Sequence, residues 1–181
     1  MRARTRVDHD RVDALLSPLD PAVRPDLSRF LQIHLACFDA MQTCAERGTS
    51  ADRLLARTRR ALRADLAVLG AARSHLCLPP PGPLGPLALD YVLEGSRMGT
   101  RLLARRWAET RDPAVARARN YFTAPSESGR WRTVCAALSA VPVDSAEAET
   151  LVHDTKRLFD LFHRAVKAID AQATREAAPA P

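Results

Sequence analysis

His9 and Asp13 stand four residues apart in "VDHDRVD", a spacing that puts both side chains on one face of a helix. Asp13 can then accept a hydrogen bond from one imidazole nitrogen, fixing the tautomer and leaving the other nitrogen free to bind a metal. Arg2 and Leu16, each seven residues from His9, share roughly the same face. A lone histidine near an N-terminus is more often exposed or simply packed, and that reading stays open. The second candidate is "DYVLEGSRMGTRLLARRW", residues 90–107, in which Gly95 and Gly99 interrupt a basic, otherwise helical stretch. Each glycine costs such a helix about 1 kcal/mol relative to alanine. Four residues apart, they strip side chains from a single patch. The bare patch suits either a second helix packed closely or a flat ligand lying across the helix. Ser96, beside it, can offer a hydroxyl to a ligand or a water.

Other chemistries find little support. There is no HExxH, nucleophile elbow, P-loop or Rossmann glycine pattern, so hydrolysis and nucleotide chemistry lack their usual residues. His34 sits among apolar residues and reads as a core histidine, while His75, His153 and His163 show no ligand-like spacing. Cys37, Cys44, Cys77 and Cys135 contain no CxxC pair. A Cys37–Cys44 link would have to span about 10 Å of helical rise, too far for a disulfide.

These residues must be carried by helices. The 181-residue chain is 46% apolar, with only nine aromatics and seven glycines, a composition that favours an all-α single domain over a sheet protein. The formal charge is +6, almost all of the basic residues being arginine. That excess suits an anionic partner but is equally a matter of composition. The N-terminus "MRARTRVDHD" has no apolar signal core and no apolar run approaches membrane-spanning length, so a cytoplasmic protein without a membrane partner is expected.

Apolar spacing predicts a first helix over about 3–16, broken by Pro18, and a second over about 26–46 that ends before Gly48. A third, capped by Ser50, is stopped by Gly70. "LCLPPPGPLGP" is a rigid connector too short to divide domains. Then come helices over about 87–110, 113–122 and 128–140, and a long one opening at Asp144, whose pairing with Glu147 resembles a capping box. Residues 1–172 form the helical domain and 173–181 a fraying tail.

Three segments, in order, resemble the bacterial heme oxygenases, particularly the type that accompanies bacteriophytochromes and makes biliverdin. "RTRVDHDRVDALLSPLD" is similar to the family's proximal helix, "YVLEGSRMGTRLLARR" to its distal helix, and "NYFTAPSESGRWRTVCAAL" to the segment where an aromatic opens the next helix. The resemblance implies a single-domain, multi-helix heme oxygenase bundle that opens heme oxidatively to biliverdin, carbon monoxide and ferrous iron. The reaction would use dioxygen and electrons from an external reductase or ferredoxin. His9 would be the proximal iron ligand and Asp13 its hydrogen-bonding acid. Gly95, Ser96 and Gly99 would form the distal face, Arg2 and Arg132 would meet the heme propionates, and Phe159 would help close the pocket. Partners implied are heme, an electron-donor protein and a bacteriophytochrome that receives the product.

The chain departs from that pattern at Thr100, where a second glycine is usual, and at Asp90, where an apolar residue is common. Thr100 places a β-branched side chain where it would narrow the distal pocket or stiffen the helix. The alternative is therefore a degenerate member that binds heme, a tetrapyrrole or a protein partner without turnover. An arginine-rich DNA-binding domain is a third reading. No helix-turn-helix reads clearly and the arginines of 53–63 spread around their helix, so a nucleic-acid partner is not expected.

Overall fold

All secondary structure in the computed structural model is helical. In chain order the helices are α1 (Arg2–Leu16), α2 (Arg24–Gln42), α3 (Ser50–Val68), α4 (Pro86–Trp107), α5 (Pro113–Arg117), α6 (Asn120–Thr123), α7 (Arg130–Ala140) and α8 (Ala146–Ala177). The structure describes residues 1–71, 76–125 and 127–177, and no strand occurs among them. His75 and the last four residues of the expected tail lie outside the described residues.

The apolar periodicity that predicts the helices also builds the core. Along α2, Leu27, Phe30, Leu31, His34, Phe38 and Met41 recur at three- and four-residue intervals and are all buried. Along α8, Leu151, Leu158, Leu161, Phe162, Ala165 and Ile169 form the matching stripe. α8 is 32 residues long, or about 48 Å at helical rise. It packs on α1, α2 and α4, while α2 also covers α3 and α7 lies chiefly on α4.

Several ends differ from expectation, each for a local reason. Thr49, not Ser50, caps α3, its hydroxyl accepting from the Asp52 amide at 3.2 Å. α8 begins after Ser145, whose Oγ accepts from the Ala148 amide at 3.1 Å, so the expected Asp144–Glu147 box does not form. The predicted helix over 113–122 is two short pieces, because Ala118 leaves the helical region with ψ 69°. α2 stops at Gln42, earlier than expected, and α8 continues through Ala177.

Asp65 explains why α6 forms at all. Its fully buried carboxylate accepts from the Asn120 amide (2.9 Å), Asn120 Nδ2 (2.7 Å) and the Tyr121 amide (2.8 Å). A helix this short leaves its first amides without partners, and an acid from α3 supplies them. Burial pushes the Asp65 carboxyl up, and these three hydrogen bonds oppose that shift.

The proline-rich connector is clamped to α8. Asp154 accepts from the Gly85 amide at 2.8 Å, and Arg157 donates to the Pro83 carbonyl at 2.9 Å. Gly82 has φ +77°, and a Cβ there would lie 2.8 Å from Arg157 Nη2, so the turn needs glycine. Several arginines of α3 are spent on neighbours. Arg59 and Arg63 both reach Asp39 of α2, and Arg53 donates to the Gly48 carbonyl. All four cysteines are free. No helix among the described residues is long and apolar enough to cross a membrane.

His34 is the core histidine the sequence suggests. Its Nδ1 donates to the Phe30 carbonyl at 2.8 Å, among the rings of Phe30, Phe38, Tyr121 and Phe162. Burial pushes its pKa down to about 4. The folded value lies below the unfolded one, so on acidification the unfolded chain takes up the proton first. His34 therefore withdraws stability as the pH falls from about 6.5 to about 4. Between pH 7 and pH 5 that contribution is about 2 kcal/mol. Urea unfolding at the two pH values should show it, and His34→Leu should flatten the dependence by that amount; an unchanged slope would contradict the assignment.

Candidate functional site

α1 is poorly buried. Of its fifteen residues only Thr5 and Val12 are buried, and they hold the helix on α8. His9 lies between them in sequence, yet its side chain is 54% exposed. The lone-histidine reading of an exposed residue is thus correct as to burial, but the residue is not unpartnered. Nδ1 lies 3.1 Å from Asp13 Oδ2 and 3.9 Å from Asp10 Oδ1. Both acids stand at Nδ1, so neither engages Nε2. The ring also meets the edge of Phe159, centroids 5.7 Å apart. Phe159, buried on α8, sets where that ring stands.

α4 carries the two glycines on its outer flank. A Cβ on Gly95 would be 4.0 Å from Trp131 Cζ3 of α7, an ordinary contact, and one on Gly99 would meet nothing within 4 Å. Neither glycine is needed for helix packing, which removes the close-packing reading at Gly99 outright. The neighbours Met98 and Leu102 are 49% and 68% exposed. The result is a bare, apolar helix face. α1 and α4 each pack on α8 and have no extensive contact with one another, so α8 bridges two helices that remain apart.

The other expected residues divide. Ser96 does not offer its proton outward: Oγ donates to the Leu93 carbonyl at 2.8 Å. Thr100 is about 140° around the helix from Gly95. Its hydroxyl donates to the Ser96 carbonyl at 2.9 Å and meets Tyr121 OH at 3.1 Å, so it does not crowd the glycine face. Asp90 is also accounted for. It pairs with Arg130 of α7 at 2.7 Å, while Tyr91 stacks on Trp131 with centroids 5.8 Å apart. Arg2 and Arg132 are exposed and make no ion pair among the described residues.

Neither of the two principal cavities, about 130 and 340 Å³, is lined by His9, Gly95 or Gly99. Sequence reasoning did not single out Trp131, Asp65 or Tyr121. Only Trp131 carried a signal, as the aromatic that opens its helix.

No family model matches the chain, and no solved structure matches it significantly. One curated protein does: over 111 residues the chain is 32% identical to a heme oxygenase of Xanthomonas campestris pv. campestris (strain 8004). The match supports the heme oxygenase family. It covers 60% of this chain and 66% of that relative's length, and the all-helical architecture agrees with that family's all-α fold.

The open glycine makes a direct prediction about the free protein. Gly99→Ala should stabilise it by about 0.5–1 kcal/mol, because a helical glycine is replaced where nothing obstructs the methyl group. Urea unfolding measures this, and a destabilisation would mean that the face is packed.

Proposed function

We propose that the chain is a heme oxygenase of the biliverdin-producing type, with His9 as the iron ligand. The observation that carries this reading is the glycine face of α4. Two residues that weaken a helix are kept where the free protein gains nothing from them, on a helix that shares α8 with the helix bearing His9. The match to a heme oxygenase supports the same reading.

The residues present fit a heme. A heme is an apolar plate with two carboxylates on one edge, and it requires an iron ligand, apolar walls and cationic groups. His9 Nε2 would serve the iron. Asp13, beside Nδ1, would orient the ring and make Nε2 a better donor. Phe159 fixes the other side of that ring. Gly95 and Gly99 would let the α4 backbone come close to the plate without side chains in the way. Met98 and Leu102 would supply apolar contact. Arg2 and Arg132 have no ion-pair partners among the described residues and can receive the propionates.

When bound, heme supplies the iron at which dioxygen is activated with electrons from an external reductase or ferredoxin, and its ring is the part consumed. His9 would offer the iron an imidazole, a ligand that pushes less electron density than a thiolate. The products would be biliverdin, carbon monoxide and ferrous iron, with a bacteriophytochrome receiving the pigment in the cytoplasm.

An absorbance titration with hemin, followed by ascorbate or a ferredoxin system, tests this. Wild type should develop a Soret band that decays to a biliverdin spectrum. His9→Ala should weaken binding at least tenfold or abolish turnover. A stable Soret band without decay would leave heme binding and remove the catalytic claim, and no Soret band would remove both.

A further inference from the structure

Behind the glycine face, on the other side of α4, lies a cavity of about 130 Å³ between α3, α4 and α6. At about 30 Å³ each that is room for roughly four waters. Phe38, Leu54, Leu93 and Phe122 form its apolar wall, and Thr58, Ser96, Thr100, Tyr121, Arg97 and Arg101 its polar one. Among the described residues two guanidinium groups line it and no carboxylate does.

The hydrogen bonds decide which polar groups remain available. Ser96 gives its proton to the Leu93 carbonyl and Thr100 gives its proton to the Ser96 carbonyl. Tyr121 must then be the donor to Thr100, since a threonine hydroxyl has only one proton. These three hydroxyls have no proton left for a ligand. Arg97 does. Its Nη2 holds the carbonyls of Ala124 and Pro125 at 3.2 and 3.0 Å, leaving Nε and Nη1 uncommitted, and no carboxylate pairs with it among the described residues. Burial of this guanidinium, and the nearby charge of Arg57, both disfavour its cation. Glu94, whose charge partly offsets them, has its own carboxyl pushed up by burial. On α3, buried Thr58 makes no side-chain hydrogen bond among the described residues. A half-buried cation with no carboxylate within ion-pair distance among the described residues, a free hydroxyl and an apolar wall thus converge on one small space.

We propose that this cavity binds a small carboxylate, one oxygen on a free N–H of Arg97 and the other on the Thr58 hydroxyl, its short hydrocarbon body against Phe38, Leu54 and Phe122. One charge-assisted hydrogen bond from the guanidinium and one from the threonine hydroxyl satisfy the two oxygens of a carboxylate. A phosphate is disfavoured because its further oxygens would face the lone pairs of Ser96, Thr100 and Tyr121. The volume limits the acid to a few carbons.

The test uses the full chain without heme, so its outcome is independent of the heme reading. Acetate, butyrate and inorganic phosphate are titrated calorimetrically at constant ionic strength, with nuclear Overhauser contacts sought between the butyrate methyl and phenylalanine ring protons. Butyrate should bind saturably and show those contacts. Binding should weaken at least tenfold in Arg97→Gln and in Thr58→Leu, which fills the cavity while leaving Arg97 in place. Arg105→Gln, on the exposed side of α4, should change it less than twofold. Circular dichroism establishes that each variant is folded, and the contacts in wild type stand whatever the variants do. The proposal is overturned by an absence of saturable carboxylate binding, by phosphate binding as well as butyrate, or by affinity that survives Arg97→Gln.

Discussion

The apolar face of α8, from Leu151 to Ile169, fixes both helices that carry the candidate site. A fifteen-residue helix such as α1 is marginal in water by itself, and α1 buries little beyond Thr5 and Val12. Its position therefore depends on docking to α8, where each buried side chain of valine or phenylalanine size contributes about 1.5–3 kcal/mol. Phe159 belongs to that buried face and touches the His9 ring. The same packing that anchors α1 thus orients its imidazole. α4 rests on α8 through its first turns, where Ala88, Leu89, Val92 and Leu93 are buried, and its glycines lie beyond them.

Behind α4 the restraints are polar. Asp65 holds the amides of α6 from α3, α6 presents Tyr121, and Tyr121 reaches Thr100. This line of contacts fixes the back of the glycine segment while its front stays bare. On the remaining flank, Arg130 on Asp90 and Trp131 on Tyr91 fasten α7. A helix weakened by two glycines is braced from two sides and open on the third, which is the side that a flat ligand would use.

The sequence was informative where a pattern is local. Three- and four-residue apolar spacing gives the helices and the buried faces of α2 and α8, and the same periodicity marks His34 as internal. The i,i+4 spacing of His9 and Asp13 likewise gives their contact. Choices between adjacent capping residues were not legible: Thr49 and Ser50 both carry hydroxyls, as Ser145 stands beside Asp144, and the winner depends on the chain's path. The role of Thr100 was also hidden. Read alone it is a β-branched residue beside a glycine, and only Tyr121, twenty-one positions later, turns it toward the back of the helix. Asp65 looks like one more charge on an exposed helix until α6 is laid against it.

The most direct test of the central claim is a crystal structure of the protein with hemin bound. The account predicts iron coordinated by His9 Nε2, Asp13 on Nδ1, and the porphyrin plane against the α4 backbone at Gly95 and Gly99. Coordination by another residue, or hemin seated away from the α4 glycines, would contradict it.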